Sequence, residues 1–272
     1  MRKLLDTLLS EKKNKNQNGI YHRLQIDFAY NSNHIEGSRL THDQTKYIYE
    51  TKTIGITTGK SEGTVRVNDI IETVNHFRCF DYILETVSEP LTEEYLKHLH
   101  KILKSGIFTS DDEIIIGDYK KYPNEVGEQE TAPPEEVSQK IKALFSKYQS
   151  PLTLYDIAEF HVAYESIHPF YDGNGRTGRL LMMKQCLEND IVPFWIDEFN
   201  KMFYYQGLKE WNKDGKEERL INVFLSAQDD MEAVLQYFRI DYQRRETTYK
   251  DVIAHGKKNK CFNSSATGGV IL

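Results

Sequence analysis

Within the twelve residues His168-Pro-Phe-Tyr-Asp-Gly-Asn-Gly-Arg-Thr-Gly-Arg179 the chain places an imidazole, a carboxylate, three glycines and two guanidinium groups. Gly173 and Gly175 bracket Asn174, which lets the backbone turn sharply and aim its N–H groups inward. Such a nest leading into a helix suits phosphate oxygens. Arg176 and Arg179 stand three apart on the helix that follows, share a face and can reach one anion, and their planar forks match phosphate better than an ammonium does. Asp172 would repel a triphosphate unless a cation such as Mg2+ lies between them. His168 can accept a proton near neutral pH. A base, a metal carboxylate and an anion cradle are the parts needed to activate a hydroxyl against a phosphate ester. Taken singly each is ordinary, and the remaining histidines (His22, His34, His42, His76, His98, His100, His161 and His255) are read as capping or surface residues. No GxGxxG follows a strand and no GxxxxGK(S/T) is present, which sets aside Rossmann and P-loop sites.

The elements that must position this loop are helical. Leu154, Ile157, Ala158, His161, Tyr164 and Ile167 recur at helical spacing over about 152–167 and run straight into the loop. Beyond it Leu180, Leu181, Met183 and Leu187 predict a central, buried helix. Earlier helices are expected around Leu4–Leu9, around Leu24–Ile35 ending at Gly37, over Val67–Leu84, and after the capping Thr92 with its acidic Glu93 and Glu94. Another follows Pro133 and Pro134, with Val137, Ile141, Leu144 and Phe145 on one face, and a long late one carries Leu220 to Phe238. Residues 53–63 read as a loop or small hairpin, and 106–134 as an irregular stretch with a hairpin. The tail from Gly256 lacks periodicity and is expected to be partly disordered. The expected architecture is mainly helical, with a small β excursion.

The string HPFYDGNGRTGR resembles the signature of the Fic (filamentation induced by cAMP) family, HPFx(D/E)GNGRxxR, at every specified position. The resemblance implies an all-α Fic fold with its loop between two central helices and a small β-hairpin flap. It further implies protein adenylyltransferase activity, the transfer of AMP from Mg-ATP to a Ser, Thr or Tyr hydroxyl of a target protein, the chain itself included. His168 would then be the base and Asp172 the Mg2+ ligand, with Phe170 anchoring the loop. Gly173, Asn174, Gly175, Arg176 and Gly178 would surround the α- and β-phosphates, and Arg179 would reach the γ-phosphate. Tyr119 and Lys120 fall where the family carries its flap, and Tyr204 and Tyr205 where an aromatic pair lines the nucleoside side. Ser32-Asn-His-Ile-Glu36-Gly37 resembles the inhibitory motif (S/T)xxxE(G/N). Ser32 and Glu36, four apart, face the same way on a helix, so Glu36 is expected to pair with Arg179 in bidentate geometry and to displace the γ-phosphate.

On this basis residues 1–50 form an N-terminal helical region with the inhibitory motif, 51–240 the catalytic domain, and 241–272 a tail packed on it or extending from it. The formal net charge of −6 argues against a dedicated nucleic-acid binder. No window reaches the roughly 18 apolar residues of a membrane span. Cys79, Cys186 and Cys261 lie far apart and read as reduced thiols, so the chain is expected to be cytoplasmic. A homodimer fits the family, although no sequence feature fixes its interface. Two alternatives remain open: the same pocket removing AMP or moving another phosphate-linked group, and a nucleotide-binding interaction module without turnover.

Overall fold

Three threonines open helices by accepting a hydrogen bond from a backbone N–H two or three residues on. Thr41 and Thr153 do so within complete capping boxes, and Thr92 accepts from the Tyr95 N–H. The computed structural model describes residues 3–53, 65–108, 115–126, 129–242 and 244–266, with backbone alone for 260–266. In chain order the described helices are α1 (Lys3–Asn14), α2 (Ile20–Ile35), α3 (His42–Thr51), α4 (Val67–Glu85), α5 (Glu93–Lys104), α6 (Pro134–Lys147), α7 (Leu154–Ile167), α8 (Asn174–Glu188), α9 (Lys201–Asp214), α10 (Glu218–Tyr237) and α11 (Tyr249–Ala266). Two short strands, β1 (Glu125–Val126) and β2 (Gln129–Glu130), pair antiparallel with Glu125 opposite Glu130. They lie at the end of the expected hairpin stretch, part of which (109–114) is outside the described residues, as is nearly all of the expected loop at 53–63. None of the described helices is long and apolar enough to cross a membrane.

Helices α7 and α8 lie at the centre. One apolar cluster takes Phe160, Tyr164, Ile167, Leu180, Leu181 and Met183 from them, packed with α1, α2, α4, α5 and α6. A second takes Leu154, Ile157, Met182 and Cys186, packed with α10 and α11. Every α8 residue from Arg176 to Leu187 is buried, as its sequence predicts. That burial fixes α8 from both sides and so holds its N-terminus, where the glycine-rich loop arrives. Helix α2 lies on α4 and also touches α8, which brings the motif around Ser32 to the loop.

Two expectations need correction. The segment from Gly256 continues as helix to Ala266. Its first turns pack through Tyr249, Val252 and Ile253, and Gly256 on the same face lets it approach α7: a Cβ there would stand 2.6 Å from the Tyr155 ring. His76, His100 and His161 are core residues rather than surface ones. Both ring nitrogens of His76 are buried without a hydrogen-bond partner, and its ring meets Phe28 edge-on at 4.8 Å.

Burial, with Arg179 and Arg176 adding to it, lowers the His76 pKa to about 3. Burial and then Arg179 do the same to His161, also to about 3. A folded pKa below the unfolded value of about 6.5 means that the unfolded chain takes up protons first on acidification. Their contribution is therefore complete above pH 6.5 or so and is lost as pH falls toward the folded values. We expect the thermal midpoint to drop by roughly 10 °C between about pH 7.5 and about pH 5, with His76→Phe flattening part of that slope. A slope left unchanged in a folded His76→Phe would contradict the assignment, since that comparison cancels groups that titrate in the opposite sense.

Candidate active site

The loop begins where α7 stops. His168 caps that helix in the left-handed region (φ 49°), an unusual conformation for a residue with a side chain. The surroundings hold it there from several directions. Asn174 clasps the loop's own backbone, accepting from the Phe170 N–H at 2.8 Å and donating to the Phe170 carbonyl at 2.8 Å. Asn124 donates to the same carbonyl at 3.0 Å. The Phe170 ring is fully buried and stacks on His100, centroids 3.8 Å apart and planes 2° from parallel. Lys120 grips the chain on both sides of His168: its backbone N–H donates to Pro169 and its ammonium to Ile167, Asn124 and Thr131. Lys120 is thus a buried support beneath the loop, and Tyr119 beside it packs against Phe170. Burial, helped by Lys140, brings the Lys120 ammonium down to about 8.

Burial also lowers the His168 imidazole to about 4, with Lys120 adding to the effect against the Glu165 carbonyl, Glu36 and Asp172. The ring is therefore neutral at physiological pH and able to accept a proton. Gly173 opens α8 with φ 85°, a backbone conformation that a Cβ would strain. Gly175 serves by absence of bulk, because an added Cβ would lie 2.4 Å from the Glu36 carboxylate.

Both loop arginines are engaged by carboxylates from the N-terminal half of the chain. Arg179, 1% exposed, donates Nε to the Ser32 hydroxyl at 3.1 Å and Nη2 to the Ser32 carbonyl and to Glu36 Oε1, each at 2.8 Å. The Glu36 contact is a single hydrogen bond, not the expected bidentate pair, and Arg179 Nη1 is buried without a hydrogen-bond partner among the described residues. Burial works against ionisation of Glu36, but the charge and hydrogen bond of Arg179, with Arg176, hold its carboxyl below the usual range. Arg176 pairs with Glu72 at 2.5 Å and, at 3.4 Å, with Asp172. Asp172 also accepts from the Gly173 N–H at 2.6 Å and from Lys104. Its side chain is 54% exposed, and cationic groups meet both its oxygens, so a metal there would take the place of one of them. Among the described residues no cluster of three or more His, Cys, Asp or Glu is poised for a metal. A metal at Asp172 would lean on one protein carboxylate, which fits Mg2+, an ion that keeps waters and takes phosphate oxygens.

The remaining expected residues divide. Tyr205 is partly exposed, whereas Tyr204 is buried with its hydroxyl 2.7 Å from His161 Nε2. Gly178 faces α7: a Cβ there would meet Glu165 Oε1 at 2.5 Å. Sequence reasoning missed Glu72, His100, Lys104, Asn124 and Glu165. His100 bonds the Asp172 carbonyl at 2.9 Å, and the Gly117 N–H donates to its other ring nitrogen at 3.0 Å. Burial pushes the Glu165 carboxyl up to about 8, and Glu36 adds to the effect. No spacing in the sequence marks these residues, since their partners lie on other elements.

Two buried helices joined by this loop set the class of the site: residues 90–186 match the Fic/DOC family. A protein adenylyltransferase Fic of Nematostella vectensis is 27% identical over 190 residues, covering 67% of this chain and 42% of that one. A probable protein adenylyltransferase of Aquifex aeolicus is 24% identical over 187 residues, covering 63% and 55%. The chain thus spans about half the length, or less, of these curated relatives. A Fic domain containing signaling protein from Bacteroides thetaiotaomicron superposes with a TM-score of 0.67 at 24% identity, over 85% of this chain and 94% of that one. A Fic family protein from Desulfovibrio desulfuricans gives 0.63 at 20% identity, over 89% and 74%. These likenesses show the shared fold.

Proposed function

We propose that this chain is a protein adenylyltransferase, moving AMP from Mg-ATP to a Ser, Thr or Tyr hydroxyl of a protein, and that Glu36 restrains it. The observation that carries the reading is the buried Arg179, which spans Ser32 and Glu36 at the N-terminal turn of α8, where an anion is expected. The names of the relatives agree with it. His168, neutral at its lowered pKa, takes the proton of the incoming hydroxyl. The hydroxyl oxygen then bonds to the α-phosphorus as the bond to the pyrophosphate oxygen breaks. Arg176 and Arg179 hold phosphate oxygens once their carboxylate partners yield. Asp172 would hold Mg2+, which neutralises charge on the phosphates when bound. Asn174 contributes by fixing the loop, because its amide is already used on Phe170. Tyr205 is the better placed of the aromatic pair to meet a nucleoside. The ionised Glu36 supports a second reading, removal of AMP from a modified protein, in which that carboxylate orients the water.

Incubation with labelled ATP and Mg2+, followed by mass spectrometry, tests the assignment. A gain of one AMP on the chain or on proteins of a lysate is expected from the Glu36→Gly variant. A gain of phosphate alone, or tight nucleotide binding with no modification by that variant, would overturn it in favour of a different transfer or an interaction module.

A further inference from the structure

Lys104 ends α5 with its ammonium 2.6 Å from Glu72 Oε1 and in contact with Asp172 Oδ2, and it is only 5% exposed. Glu72 turns its other oxygen to Arg176 at 2.5 Å, and Arg176 returns to Asp172 at 3.4 Å. Two cations and two anions thus alternate in a closed ring along one wall of a cavity of about 310 Å³, which Glu36 also lines. One turn earlier on α5, His100 holds the Asp172 backbone carbonyl. Helix α5 therefore grips Asp172 at both its backbone and its carboxylate.

We propose that Lys104 is a built-in counter-cation for Asp172 that competes with the divalent metal, and that Glu72 is the acceptor keeping its ammonium when Asp172 turns to the metal. The inference rests on Asp172 being the metal ligand. A buried ammonium deprived of its anion is costly; Lys104 avoids that state because Glu72 remains at hydrogen-bond distance. Asp172 likewise never faces the loop without a cation. Glu72 has a second consequence: yielding Asp172 strengthens its hold on Lys104 and loosens its hold on Arg176, which leaves that guanidinium freer for phosphate. Lys104 and Glu72 are positioning residues in this scheme, acting through Asp172 and Arg176.

Calorimetric titration of Mg2+ into protein saturated with a non-hydrolysable ATP analogue reads the competition directly, without turnover. Removing a cation in contact with a carboxylate in Lys104→Met should tighten Mg2+ binding by about tenfold or more. Glu72→Gln should weaken it several-fold, because Lys104 then has only Asp172 to turn to. The opposite signs separate this role from a structural one, in which both changes would disorder Asp172 and weaken binding. Unchanged or weaker Mg2+ affinity in a folded Lys104→Met, or tighter affinity in Glu72→Gln, would overturn the proposal. If Lys104→Met does not fold, Lys104→Gln, which also removes the charge and keeps a polar side chain at the position, is titrated in its place with the same two outcomes. Asp172→Asn serves as the control: native Mg2+ affinity there would refute the metal-ligand reading itself. Lost affinity there, with Lys104→Met equal to native, would sink only the competition.

Discussion

Glu36→Gly is expected to raise the initial rate of AMP incorporation by about a hundredfold, a gain within the range of positioning effects. The argument is electrostatic and geometric. Arg179 is fully enclosed, and its Nη2 is shared between the Ser32 carbonyl and the Glu36 carboxylate. A γ-phosphate and Glu36 would have to share one guanidinium, and two anions cannot both be held well at that point. The carboxylate also stands over Gly175, at the turn where phosphate oxygens would sit. Removing it opens the space and frees the charge together. Arg179→Ala should leave transfer slow whether or not Glu36 is present, so the two substitutions should be strongly non-additive. Ser32→Ala should release the restraint only in part. Its hydroxyl bonds Arg179 rather than Glu36, so its loss loosens the arginine and leaves the blocking charge in place. Initial rates for the native chain, both single variants and the double variant decide the matter. Equal rates for native and Glu36→Gly at saturating nucleotide would refute the inhibitory role and leave the transferase assignment standing.

The second large effect concerns His168. His168→Ala should reduce transfer by about 10²–10⁴-fold, the usual consequence of removing a general base, while nucleotide affinity stays near native. The separation is expected because the ring lies at the end of α7, while the arginines that would meet phosphate stand on α8. The environment adds a sharper expectation. Burial first and Lys120 second bring the imidazole to about 4, so the base is already neutral throughout the neutral range. The profile of kcat/KM in Glu36→Gly should therefore show no inflection near pH 6.5, where an ordinary imidazole titrates. Rates within threefold or so of the parent in His168→Ala would end the assignment.

The motif and its two flanking helices were legible in the sequence because they depend on local pattern. Gly173 was readable as a turn, and the stripe from Leu180 to Leu187 as a buried helix. The pairing of Glu36 with Arg179 was legible through resemblance alone, since 143 residues separate them. What stayed hidden was the support around the loop. Lys104 meets Asp172 across 68 residues and Glu72 across 32, and nothing in the spacing of a lysine and two acids announces a ring. Helix α3 went unread although Thr41 and Gln44 spell its capping box, because few of its residues face the core. Helix α11 went unread for a different reason: its apolar face is confined to Tyr249, Val252 and Ile253, and beyond them it packs through Gly256. His76 and His100 were misjudged because burial of a neutral imidazole leaves no periodic trace, whereas His161 stood in the apolar stripe of α7 and its place there foretold its burial.

The enclosure of Arg179 has a consequence for the durability of the chain. A guanidinium sealed in the interior has no access to water and must be matched by an anion in every state that persists. Without nucleotide that anion is Glu36; with nucleotide it would be phosphate. A lineage that discarded the carboxylate to gain speed would carry an uncompensated positive charge whenever nucleotide ran short. Its stability would lean more on bound nucleotide, in the way that any ligand confined to the native state stabilises that state. Restraint of the chemistry and survival of the unliganded protein thus pull in the same direction on one residue, and a faster variant would also be a more fragile one.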